Sequence, residues 1–168
     1  MISKKIILIG DFSTGKTSLI RRYVDNQFSD SYLSTIGVKI SRKVIPVEDN
    51  EIQGLIWDVE GGTEKKPVNQ TYIKGAHASI IVADITREET IDHLSSYIDM
   101  IQTIVPSTPY VLALNKADCI DREEGEKILH KTKERYKEHD TPVYLTSAKT
   151  GEGVEELFKE IAQAISKG

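Results

Sequence analysis

Near its start the chain reads Gly10-Asp11-Phe12-Ser13-Thr14-Gly15-Lys16-Thr17, a full match to the pattern G-x-x-x-x-G-K-[ST]. Each fixed position has a chemical reason. Glycines at 10 and 15 let the backbone curl so that successive N–H groups point at one anion. A helix opening near Lys16 adds about half a positive charge at its N-terminus. Lys16 neutralises phosphate oxygens, and the Thr17 hydroxyl is placed for magnesium. Phe12, Ser13, Thr14, Gly15, Lys16, Thr17 and Ser18 are therefore the expected phosphate-lining residues. The bland alternative is a chance glycine turn. A buried-strand pattern before the loop and a helical pattern after it argue against that. The loop implies a nucleoside triphosphate and leaves the base open.

Two later tetrapeptides bear on the base. Asn115-Lys116-Ala117-Asp118 follows an apolar strand pattern, and Thr146-Ser147-Ala148-Lys149 follows another. With these residues the sequence resembles the small GTPases of the Ras and Rab type, over residues 6 to about 165. In that family N-K-x-D reads guanine. A carboxylate at Asp118 only accepts hydrogen bonds. Guanine offers it two donors, whereas adenine presents an acceptor at N1, so an adenine-nucleotide enzyme conflicts with Asp118. By the same resemblance Asn115 braces the loops, the Lys116 stem lies along the purine, and Ser147, Ala148 and Lys149 form the second base loop. The backbone N–H of Ala148 would donate to the guanine oxygen.

The resemblance also implies two switch segments. Asp58, at the end of a strand, looks like the acid that holds magnesium through a water, with Thr17 and Thr35 as the hydroxyl ligands. Phe28 falls where the family places an aromatic against the base, and Tyr32 where a tyrosine covers the phosphates. Gly61 would bring its N–H to the γ-phosphate. Lys16, Thr35 and Gly61 are then the residues assigned to the hydrolysis step. Loss of the γ-phosphate removes its contacts and lets both segments relax. Trp57, the Ser34-Thr35-Ile36-Gly37 run and the 146–149 loop are closer to Rab than to Ras.

The second switch departs from the family pattern D-T-A-G-Q-E, reading Asp58-Val59-Glu60-Gly61-Gly62-Thr63-Glu64. Gly62 replaces the glutamine that orients the attacking water. Glu60 replaces an alanine beside the γ-phosphate, where a carboxylate would be repelled, so it is expected to turn outward, to solvent or a lysine such as Lys65. Phe12 stands where the family has a small residue. Two readings of it stay open: the ring covers the site or hinders a partner's arginine, or it packs on the second switch. Slow intrinsic hydrolysis follows as an expectation. An arginine from a partner, worth roughly 10³–10⁵ in rate, would restore turnover. Residues 58–75 contain no arginine, so the second switch supplies none itself, and the alternative is that Thr63, Glu64 or Glu60 positions the water. The competing reading is a GTP-bound interaction module with little or no hydrolysis.

The elements that must position these groups alternate strand and helix. Strand patterns cover residues 4–9, 38–47, 51–59, 79–84, 110–115 and 143–146, with the second and third as an antiparallel pair turning at 48–50. Helical patterns cover 16–26, 88–104, 122–138 and 154–165. This predicts an α/β P-loop fold, a six-stranded, mostly parallel sheet with helices on both faces, as in the small G-protein domain. Residues 1–168 are expected to form one GTP-binding domain. Every motif falls where such sheets bind ligands, at the carboxyl ends of the strands.

Composition narrows the class. A net charge of −4 argues against a general nucleic-acid binder. The one cysteine, Cys119, allows no internal disulfide and suits a reducing, cytoplasmic setting. It reads as a small loop or core residue rather than a reactive thiol. His77, His93, His130 and His139 have no zinc-ligand spacing. No apolar run approaches a membrane span, and without a terminal cysteine no prenyl anchor is expected on this chain. The expected partners are effectors at the two switch segments, an exchange factor and a GTPase activator.

Overall fold

A computed structural model describes residues 1–26 and 38–168 of the chain. The expectations for Phe28, Tyr32 and the Ser34-Thr35-Ile36-Gly37 run lie outside the described residues. The strands are β1 (Ile2–Gly10), β2 (Val38–Val47), β3 (Asn50–Val59), β4 (Ala78–Asp84), β5 (Tyr110–Asn115) and β6 (Val143–Leu145). The helices are α1 (Lys16–Asp25), α2 (Glu88–Asp92), α3 (Leu94–Ile104), α4 (Arg122–Arg135) and α5 (Val154–Lys167).

The strands form one sheet in the order β2-β3-β1-β4-β5-β6. The β2–β3 pair is antiparallel and the other four pairs are parallel. Sequence pattern and position agree. Ile6, Ile7, Leu8 and Ile9 of β1 are all fully buried, as a strand covered on both faces requires. Strand β2 lies at the sheet edge, and its Ile40 and Val44 are exposed.

Two cores sandwich the sheet. On one face, Leu19, Ile20 and Tyr23 of α1 meet Leu157, Phe158 and Ile161 of α5. Tyr23 and Phe158 stack with ring centroids 3.9 Å apart. On the other face, Leu94, Tyr97 and Ile101 of α3 pack with Val68 and Ile73, which lie between β3 and β4. The carboxyl ends of the parallel strands share one edge, and the loops of interest leave from it.

Two helices differ from the sequence reading. The expected helix 88–104 divides at His93, which has φ −77° and ψ −9°. The short α2 is tied to the end of β4 by buried Thr90. The Thr90 hydroxyl lies 2.9 Å from the Asp84 carbonyl and 2.7 Å from that of Arg87. The longer α3 instead follows the sheet face. The expected helix 122–138 ends at Arg135, and a 3₁₀ turn at Lys137–His139 redirects the chain toward Pro142 and β6.

Candidate functional site

The phosphate loop leaves β1 and enters α1. Its turn needs Gly15, which adopts a left-handed φ of 96°, and a Cβ there would run into the side-chain amide of Asn115. Lys16 is 6% exposed. Its Nζ donates to the Asp11 carbonyl at 2.9 Å and lies 3.4 Å from Thr14 Oγ1, so the ammonium sits inside the loop. Burial lowers its pKa to about 8, against the opposing pull of Asp58 and Asp11. A polyphosphate in the loop would remove that penalty by pairing the charge. Ser13, Thr14, Thr17 and Ser18 surround the same turn, with Thr14 fully buried.

Three loops are cross-braced to it. Asn115 Nδ2 donates to the Thr14 carbonyl at 2.9 Å, and Asn115 Oδ1 accepts from Thr146 Oγ1 at 3.1 Å. One buried amide thus joins the phosphate loop to the two loops singled out for the base. Lys116 Nζ donates to the Ser13 carbonyl at 2.9 Å and pairs with Asp84 at 3.0 Å. Burial works against the Asp84 charge, but hydrogen bonds from Thr86 and Lys116 outweigh it and hold the carboxyl below its usual range. Asp118 is exposed, and its Oδ1 accepts from Ser147 Oγ at 2.7 Å, which fixes the orientation of the carboxylate. Ala148 and Lys149 are held by Arg22 of α1, which donates to their carbonyls at 2.7 and 2.6 Å.

Sequence reasoning misses Arg22, Asp84 and Arg87. Arg87 Nη1 donates to the Phe12 carbonyl at 3.1 Å. Asp84 carries a readable signal, an acid at the end of a buried strand, as Asp58 is on β3. The two arginines carry none, because their partners are carbonyls far away in the sequence.

At the end of β3, Thr17 Oγ1 donates to Asp58 Oδ2 at 2.5 Å. Asp58 is 3% exposed. Two hard oxygen donors thus converge beside the phosphate loop, a donor set that suits magnesium. Glu60, expected to face solvent or a nearby lysine such as Lys65, pairs with Lys66 at 3.3 Å. The reason is a local turn. The Thr63 N–H donates to the Lys66 carbonyl at 2.9 Å, and the Lys66 N–H donates to Thr63 Oγ1 at 3.0 Å, which folds Lys66 back over Glu60.

Gly61 and Gly62 lie against the phosphate loop. A Cβ on Gly61 would be 2.5 Å from Phe12 Cα. The Gly62 N–H donates to the Gly10 carbonyl at 3.1 Å, and the Phe12 N–H donates to the Gly62 carbonyl at 3.0 Å. Phe12 therefore joins the second switch through its backbone, while the residue remains 40% exposed. Asp11 is held by Tyr97 of α3 and by His93, which precedes that helix. Its Oδ1 accepts from Tyr97 Oη at 2.7 Å, and its Oδ2 lies 2.6 Å from His93 Nδ1. Burial, then Asp11, raises the Tyr97 pKa, so the phenol keeps its proton and donates. Hydrogen bonding to Asp11 raises that of His93.

Cys119 is exposed in the base loop, and slight burial together with Asp118 raises its pKa, which opposes thiolate reactivity. Among the described residues no cluster of metal-binding side chains of the zinc type occurs. No described helix is long and apolar enough to cross a membrane.

A glycine turn at a strand–helix junction, a buried lysine inside it and bracing by loops from neighbouring strand ends define a P-loop nucleotide-binding protein. A profile described as the Ras family matches residues 5–167. The chain is 36% identical over 164 residues to the Ras-related protein Rab-1 of Theileria annulata, covering 96% of this chain and 73% of the relative. It is 34% identical over 165 residues to Rab-1C of Dictyostelium discoideum, covering 97% of this chain and 81% of that relative. The chain belongs to the Ras family and is a Rab-like small GTPase, a GTP-binding switch protein. Members of the family hydrolyse GTP and bind effectors, exchange factors and activators.

Proposed function

We propose that this chain forms one GTP-binding domain that binds GTP and GDP with magnesium and hydrolyses GTP slowly on its own. Ser13, Thr14, Gly15, Lys16, Thr17 and Ser18 line the phosphates, with backbone N–H groups and the Lys16 ammonium offsetting their charge. Asp118 selects guanine, Asn115 and Lys116 hold the loops around it, and Ser147, Ala148 and Lys149 close the base side. Thr17 and Asp58 hold magnesium, with Thr35 joining them in the GTP state by family resemblance. When bound, magnesium neutralises phosphate charge. By the same resemblance Gly61 presents its N–H toward the γ-phosphate, and Phe28 and Tyr32, outside the described residues, are assigned to the base and the phosphates.

The observation that carries slow turnover is Gly62. It has no side chain to orient water, and its peptide is already hydrogen-bonded to the phosphate loop. Glu60 is engaged with Lys66 and offers no substitute in this arrangement. Effectors read the two switch segments, an exchange factor opens the site, and an activator supplies the missing catalytic group. A cytoplasmic location fits this reading.

Single-turnover hydrolysis of GTP by purified protein tests it. The expected rate is at least about tenfold below that of a glutamine-bearing Rab under the same conditions. Equal rates would refute slow turnover. The same preparation separates the second reading, a GTP-bound interaction module. Bound GDP after purification favours turnover, and bound GTP favours the module.

A further inference from the structure

Position 62 lacks a glutamine, and the structure also has no room for one. Gly62 is buried, and both polar groups of its backbone are used on the phosphate loop, in a one-residue parallel bridge to Asp11. A Cβ added there would lie 2.6 Å from Tyr97 Oη and 3.2 Å from Val68 Cγ2. Carbon and oxygen do not approach so closely without something moving. A tyrosine hydroxyl is the end of a side chain and would ordinarily give way. Tyr97 is constrained: it is 7% exposed, and its hydroxyl donates to the Asp11 carboxylate at 2.7 Å. His93 grips the other Asp11 oxygen at 2.6 Å. Moving the phenol breaks a charge-assisted hydrogen bond and disturbs an acid within the phosphate loop.

We infer that Tyr97 is a positioning residue: through Asp11 it clasps the second switch onto the phosphate loop, and its hydroxyl occupies the space that a side chain at position 62 needs. Slow hydrolysis is then set by α3 as well as by Gly62. A single Gly62→Gln substitution gains little, because the new side chain either fails to enter or forces the switch off the loop. The inference deepens the slow-turnover reading and rests on it for the effect on rate.

The test is a double-mutant cycle between positions 62 and 97, read in two ways. In single-turnover GTP hydrolysis, Gly62→Gln is compared with wild type, and Gly62→Gln/Tyr97→Phe with Tyr97→Phe. Phenylalanine keeps the ring and removes the hydroxyl. The glutamine is expected to change the rate by less than about threefold when tyrosine is present and to raise it about tenfold or more when phenylalanine is present. In thermal melting, Gly62→Ala is expected to lower Tm in the wild-type background and to lower it much less in the Tyr97→Phe background. Equal effects of the alanine in both melting backgrounds overturn the clasp. A coupled melt with the same rate gain from glutamine in both backgrounds overturns its control of hydrolysis. Fast hydrolysis by the wild type sinks the slow-turnover reading instead, while the melting cycle still reports on the clasp.

Discussion

The proposed role of Asp118 in base choice can be tested at a single side chain. Its carboxylate is oriented by Ser147 and presents only acceptors. Asp118→Asn turns one acceptor into a donor, facing the exocyclic amine of guanine. Affinity for GDP should fall by roughly a hundredfold or more, since hydrogen bonds to charged groups are worth about 1.5–3 kcal/mol each. Xanthosine diphosphate carries a carbonyl in place of that amine and should regain most of the loss, as titration calorimetry would show. Equal losses for both nucleotides would remove Asp118 from the base site. At this scale the candidate site is highly legible in the sequence, because the motifs that carry Lys16, Thr17, Asn115 and Asp118 have fixed local spacing. It is less legible for Glu60. The choice of Lys66 over Lys65 depends on a four-residue turn whose hydrogen bonds are invisible in composition.

At the scale of elements, the phosphate loop, the second switch and α3 form one contact. His93, at the break between α2 and α3, ties Asp11 from outside. Its pKa is raised in the folded chain by Asp11, with Asp92 and Glu89 adding to the effect. The stabilisation is therefore fully present below the unfolded histidine pKa, near 6.5, and is lost as pH rises through the higher folded value. His93→Ala should lower Tm at about pH 6 and have little effect at about pH 9. A pH-independent difference would show that the ring acts by packing alone. The break that aims His93 is not legible: the helical period runs on through residues 88–104. Thr90, pinned to the end of β4, imposes the interruption.

Across the whole molecule, the strand order and both cores follow from what the apolar runs must bury. The uninterrupted Ile6–Ile9 segment has to be central, and the alternating pattern of β2 suits an edge. Phe158, fully buried and stacked on Tyr23, joins α5 to α1 across one face. Phe158→Ala should cost about 3–5 kcal/mol of folding stability, measurable by urea denaturation with GDP saturating. A change below about 1 kcal/mol would mean that the face repacks around the cavity. The long-range ties escape the sequence, because Arg22 reaching Ala148 and Arg87 reaching Phe12 depend on how completed elements cross.

The amide of Asn115 has a kinetic consequence. It grips Thr14 with its nitrogen and Thr146 with its oxygen, and beside the Lys116 ammonium on the Ser13 carbonyl it ties the proposed phosphate cradle to the proposed base slot. If the proposed site holds the nucleotide, its escape is expected to be concerted: loosening either end should slacken the other, and a protein that pries at one side should speed departure from both.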